Sequence, residues 1–262
     1  MNFDEIKICF FNVLDDIQDY LPDLTLVGGW MPFIYTDFLW KNGIKNPGTT
    51  VDIDFGIDQS ITRNYSRTIF QTLSSLNYKE RHLRMDRMLP VVMHKEKIPV
   101  EFITYPKVDM SIIKKIVGEQ IYINKIDKFD FLLKNRISVT IQSNKKKTPY
   151  HVNCPRPSAF LFHKSATFTD RENEEKQAKD LFYMYFILRY APDIENILKE
   201  VSLYQKEGVF KQVPENLNSY FERSSSKGCL LVEKENGPDE FIEDVRQDIF
   251  ERFKNLRERV IQ

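Results

Sequence analysis

Excess charge, cysteine and glycine are all in short supply in this chain of 262 residues. Lys plus Arg number 38 and Asp plus Glu number 38, so the formal net charge is zero. That balance argues against a protein that grips nucleic acid through bulk positive charge, although it leaves room for a local basic patch. The three cysteines, Cys9, Cys154 and Cys229, are widely separated and form no C-x-x-C pair. A disulfide scaffold and a cysteine zinc site are therefore not expected, and a reducing compartment is. With 9 glycines, the composition is neither collagen-like nor linker-like. The most apolar stretch, Leu181 to Leu188, falls far short of the ~20 residues that cross a bilayer. Met1 to Lys7 has no basic-then-apolar signal layout, so a soluble, cytoplasmic protein with no membrane partner is expected. His82, His94, His151 and His163 show no close zinc spacing, and no G-x-S-x-G turn exists.

What the chain does have is a core and a change of character along its length. Hydrophobic residues make up 42%, including 20 Phe and 12 Tyr, too apolar for disorder. Ile6, Phe10, Val13, Ile17 and Leu21 recur at helical spacing until Pro22. Leu24–Val27 reads as a buried strand that runs into Gly28-Gly29, and Trp30, Phe33, Ile34 and Phe38 then resume helical spacing. Val51–Ile57 alternates cleanly and predicts a strand with Val51, Ile53, Phe55 and Ile57 facing the core. A helix is expected over Ile61–Leu76, and β-like pieces around Tyr78–Arg84, Met88–His94 and Lys97–Thr104. Residues 105–150 are mixed, with further strand expected near Gln120–Ile123. After Pro155 and Pro157 the pattern turns helical, with one helix over Glu174–Tyr190 and a last one through Ile242, Val245, Ile249, Phe253, Leu256 and Val260. The expected organisation is an α/β domain over residues 1–154 and a helical domain over 155–262.

Three features carry chemistry. In a strand, residues i and i+2 share a side, so Asp52 and Asp54 face one way, and two like charges that close invite a divalent cation. An EF-hand loop starting at Asp52 fails, because its fifth and twelfth positions are Gly56 and Arg63. A glycosyltransferase D-x-D also binds metal but does not explain the diglycine upstream. Gly28-Gly29 between strand and helix lets backbone N–H groups approach an anion. It is neither a Walker A loop nor a dinucleotide loop, since G-K-[ST] and G-x-G-x-x-G are both missing. Glu101 is an acid in the otherwise apolar run Lys97–Ile103, on the opposite side from Val100 and Phe102. Set beside Asp52 and Asp54, it would complete a three-carboxylate metal site. Lys145–Lys147 is expected to be a solvated loop and Phe182–Phe186 helix core.

Gly28-Gly29, Asp52-x-Asp54 and Glu101, in this order, resemble the nucleotidyltransferase superfamily (the DNA polymerase β-like fold). Val27-Gly28-Gly29-Trp30 followed by Thr50–Phe55 looks most like its AbiEii-type branch of abortive-infection toxins. Lys164 in Pro157–Lys164 and the pair Lys179-Asp180 match a lysine-bearing helix and a K-D helix of that branch. Three departures stand out: Gly48 and Tyr183 occupy positions where the branch often has Arg and Asp, and the third acid, Glu101, is Glu rather than the more usual Asp. The resemblance implies a mixed α/β (α+β) sheet with flanking helices, followed by a mostly helical C-terminal domain. It implies transfer of a nucleoside monophosphate from a nucleoside triphosphate, with Mg²⁺ or Mn²⁺ held by Asp52, Asp54 and Glu101. Gly28 and Gly29 would cradle the phosphates, and Lys164 and Lys179 would neutralise them. The acceptor implied is tRNA, a protein or a small molecule, with an antitoxin protein as a possible partner. An antibiotic O-nucleotidyltransferase and a non-catalytic nucleotide- or partner-binding module are the alternatives.

Overall fold

The computed structural model describes residues 3–44, 50–61, 63–82, 90–96, 98–142, 149–171, 173–237 and 242–261. Gly48 and the lysines at 145–147 lie outside the described residues. The chain forms two compact units, Met1–Pro155 and Arg156–Gln262.

The first unit opens with helix α1 (Phe3–Asp16), which buries Phe10, Phe11, Val13 and Leu14. Its end comes earlier than the apolar spacing predicts, because a 3-10 turn over Gln18–Asp23 takes up Pro22. Strand β1 (Leu24–Val27) is buried at every position. From Gly28 the chain coils continuously but changes pitch: a 3-10 turn (Gly28–Trp30), the short α2 (Met31–Ile34) and a π-turn (Tyr35–Trp40). Phe10 stacks on Trp30 with ring centroids 4.0 Å apart, and Phe33 meets both edge-on, so α1 and α2 share an aromatic core.

Strand β2 is Ile53–Ile57. The expected strand began at Val51 with that side chain inward; instead Val51 is exposed and precedes β2. The reason is pairing. The antiparallel ladder with β1 ends at Val27 opposite Asp54, where Gly28 turns away. Helix α3 (Ile69–Ser75) also starts later than its apolar spacing suggests, because Thr68 and Gln71 form a reciprocal capping box there.

Strands β3 (Lys79–His82), β4 (Val91–Lys95) and β5 (Ile98–Thr104) follow, then α4 (Met110–Val117), β6 (Ile123–Lys125) and α5 (Asp130–Lys134). Two more strands, β7 (Arg136–Ile141) and β8 (Tyr150–Pro155), complete this unit. No separate expectation named them. The sheet order is β3-β4-β5-β2-β1-β8-β7, with β6 also on β5. It is mixed: β2 with β5 and β1 with β8 are parallel, and β1 with β2 is antiparallel. One face carries Leu24, Leu26, Ile53, Phe55, Ile57, Val100 and Phe102, all buried. On it Phe55 stacks on its partner Phe102.

The second unit is helical: α6 (Pro157–Thr167), α7 (Glu174–Tyr190), α8 (Ile194–Lys206), α9 (Val213–Tyr220), α10 (Lys227–Asn236) and α11 (Val245–Ile261). Phe221 and Phe253 stack in parallel at 3.7 Å, tying α11 to the chain segment after α9. Tyr183, Tyr185 and Phe186 are buried, as expected of helix core. Among the described residues, no helix is long and apolar enough to cross a membrane.

Candidate active site

Opposite the apolar face of the first sheet lies the face that carries the acids. In the parallel pair β2/β5, Asp54 lies directly opposite Glu101. In-register partners on adjacent strands project to the same side at ~4.8 Å spacing, so the two carboxylates are neighbours. Val27 is Asp54's partner on the other flank, which places the end of β1 and its diglycine beside the same acid.

Gly28 sits in the left-handed region at φ +77°. A Cβ there would run into the Asp54 carboxylate, with Oδ2 its nearest neighbour and Cγ 3.1 Å away. The missing side chain is thus a steric requirement twice over, for the turn and for the close approach of backbone to carboxylate. Gly56, two residues on, does similar work: a Cβ would lie 2.7 Å from Leu133 and 2.9 Å from Phe129. Those side chains lie in and just before α5, so the acid-bearing face is covered at Gly56 and carries its acids one step along the strand.

Asp52 lies outside β2 and is exposed. Trp30 Nε1 donates to its carbonyl oxygen at 3.1 Å, and its own N–H donates to Thr50 Oγ1 at 3.4 Å. Among the described residues no three His, Cys, Asp or Glu side chains come close enough together to hold a metal ion. The structure therefore brings Asp54 and Glu101 side by side and leaves Asp52 at the head of the strand, rather than closing a three-carboxylate cage.

One residue near the acids escaped sequence reasoning. Arg81 Nη2 lies 3.6 Å from Glu101 Oε1. The Lys79-x-Arg81 alternation puts both cations on one side of a strand. Only the pairing of β3 with β4 and β4 with β5 reveals that this is the acid-bearing side.

The second unit holds the two expected lysines in unlike surroundings. Lys164 is buried on α6 and its Nζ pairs with Asp180 Oδ1 on α7. Arg171 Nε donates to Asp180 Oδ2 at 2.8 Å, so one buried carboxylate bridges two cations. Burial by itself pushes the Asp180 carboxyl upward, but Lys164 and Arg171 outweigh it and hold it below the usual carboxylate range. Lys179, by contrast, lies exposed on α7 and pairs with Glu175 one turn back at 3.0 Å. Lys164 and Lys179 thus pair with different acids, Asp180 and Glu175.

A cavity of about 630 Å³, lined by residues that include Gln18, Arg63, Tyr65, Tyr150 and His151, opens beside the starts of β1 and β8. The acids sit at the far end of β1, so this cavity is not their site.

The sequence model of the family described as Nucleotidyltransferase matches residues 12–200. No curated protein matches the chain. Among solved structures, an antigenic nucleotidyltransferase-like protein from Paracoccidioides brasiliensis aligns over 81% of this chain and 93% of that one. The identity is 15% and the TM-score 0.44.

Proposed function

Because this chain belongs to the nucleotidyltransferase family, we propose that Asp54 and Glu101, with Asp52, are the centre at which it moves a nucleoside monophosphate from a triphosphate to an acceptor. One juxtaposition carries this reading: two carboxylates on one rung of the sheet, with the side-chain-free backbone of Gly28 against the first.

The residues fit a hard divalent cation. All three donors are carboxylate oxygens, and Mg²⁺ is commonly held by one or two carboxylates plus substrate phosphates and water. A closed protein cage is not needed. When bound, such an ion offsets triphosphate charge and lowers the pKa of an acceptor hydroxyl. Asp54 and Glu101 would hold it, and Asp52 would join them from the head of β2. Glu101 would also accept the acceptor's proton. Gly28 and Gly29 would offer backbone N–H groups to phosphate oxygens.

The finer reading, an AbiEii-type toxin acting on tRNA or a protein and held by an antitoxin, rests on the Gly28-Gly29-Trp30 and Thr50–Phe55 phrases. Incubating the protein with each of the four labelled nucleoside triphosphates, Mg²⁺ and total tRNA or cell extract tests both levels. Label transfer that disappears in Asp54→Asn supports the centre, and the labelled product identifies the acceptor. Transfer unaffected by Asp54→Asn would remove the centre from these residues.

A further inference from the structure

Arg81 stands in the strand β3, all four of whose residues are exposed. Its partner on β4 is Val92, and Met93 is partnered by Val100 on β5, so the same register carries Val92 to the level of Glu101. The guanidinium reaches across a valine, small and buried, to arrive 3.6 Å from the carboxylate. A solvent-exposed pair at that separation contributes little to folding. Its effect on the carboxylate is larger in another respect. A fixed positive charge beside Glu101 opposes any dication that Glu101 and Asp54 would bind together. The fork of Arg81 also matches the geometry of a phosphate as well as that of a carboxylate.

We propose that Arg81 is a positioning residue that exchanges partners during substrate binding. In the cation-free protein it holds Glu101 and neutralises it. When a dication arrives, Glu101 turns to the metal and the released guanidinium takes a phosphate oxygen of the triphosphate. Cation and triphosphate then bind best together, and the carboxylate pair is never left without a counter-charge. This inference rests on the metal-site reading of Asp54 and Glu101 given above.

The two halves of the exchange predict opposite signs for one substitution. Arg81→Gln should bind Mn²⁺ alone at least ~3-fold more tightly than wild type, because the opposing charge is gone. It should bind a non-hydrolysable nucleoside triphosphate with Mg²⁺ at least ~10-fold more weakly, because a charge-assisted phosphate contact is gone. Arg81→Lys keeps the charge without the fork, so its Mn²⁺ affinity should stay within ~2-fold of wild type while its nucleotide affinity falls partway. Mn²⁺ binding is read by electron paramagnetic resonance and nucleotide binding by calorimetry, neither of which needs an acceptor. If Arg81→Gln leaves both affinities unchanged, or weakens both, the exchange is wrong although the metal site stands. If wild type and Asp54→Asn fail alike to bind Mn²⁺, the metal site itself is wrong and the exchange falls with it.

Discussion

The indole of Trp30 donates its Nε1 proton to the carbonyl oxygen of Asp52 at 3.1 Å, linking the residue after the diglycine to the residue before the acid-bearing strand. Trp30 is itself immobilised by the Phe10 stack and is fully buried. The backbone of Asp52 is therefore fixed from the core of α1 and α2, although its side chain is exposed. Trp30→Phe should keep much of the stack and lose the hydrogen bond. Lost bond and partial cavity together should cost about 1–3 kcal/mol in denaturant unfolding. The same variant should weaken Mn²⁺ binding, whereas Phe221→Leu in the second unit should lower stability without that effect.

Gly28→Ala is the sharper probe of the turn. A non-glycine residue in the left-handed region costs roughly 1–2 kcal/mol, and here the new methyl would also displace the Asp54 carboxylate. We expect lower stability and a loss of divalent-cation affinity in the same protein. Gly43→Ala is the control: its φ is +69°, yet a Cβ there meets nothing within 4 Å. It should show the backbone cost alone, with Mn²⁺ binding intact.

Removing both acids of the D-x-D should separate binding from folding. Asp52 is exposed and Asp54 is only partly buried on a face opposite the apolar core. The pair Asp52→Ala/Asp54→Ala should leave circular dichroism and the unfolding midpoint close to wild type while abolishing Mn²⁺ binding. Wild-type Mn²⁺ affinity in the double variant would reject the assignment.

Asp180 sets a pH signature for the second unit. Its pKa is held below the unfolded value of ~3.9 by Lys164 and Arg171, against the opposing effect of burial. A depressed carboxylate pKa contributes stability that is fully present above the unfolded value and is lost as pH falls through the folded one. Asp180→Ala would remove the buried carboxylate that Lys164 and Arg171 share and should cost about 3–5 kcal/mol at neutral pH. Unfolding free energies measured across pH should show that gap constant above about pH 5 and narrowing below the unfolded value of ~3.9. Lys164→Met/Asp180→Leu should recover part of the loss, because neither buried charge of that pair remains.

The three thiols should differ in reactivity. Burial pushes the Cys154 thiol up to about 12 and the Cys229 thiol up to about 11, while Cys9 is only partly covered. Thiolate is the reactive form, so an alkylating reagent at pH 8 should modify Cys9 first and the other two only on unfolding. Mass mapping of the native reaction checks this; early modification of Cys154 would contradict its place in β8.

Much of the local structure was legible because it depends on near neighbours. The span of α7 came out as Glu174–Tyr190 since Asn173 caps it and the chain extends after Tyr190 ahead of Pro192. The strand character of Ile53–Ile57, the turn at Gly28-Gly29 and the sided placement of Glu101 all follow from period-2 alternation and glycine stereochemistry. Boundaries that depend on a partner were not legible. Val51 alternates perfectly with Ile53 yet is exposed, because the ladder with β1 has already ended. Strands β7 and β8 pair with each other and, through β8, with β1, so their existence rests on contacts distant in sequence.

The identities and order of diglycine, D-x-D and Glu101 were determined by the sequence alone, and so were the carboxylate and backbone groups they offer. Their relative placement was decided by tertiary structure. Nothing in residues 52–54 or 97–103 says that β2 and β5 run parallel with Asp54 on Glu101's rung, or that β4 brings Arg81 within reach. Nor does the spacing of Lys164 and Asp180 say that they meet in a buried pair shared with Arg171. The physical reason is the same in each case. Side-chain alternation and capping are set by local backbone sterics, whereas strand register and helix packing are set by which distant surfaces exclude water together.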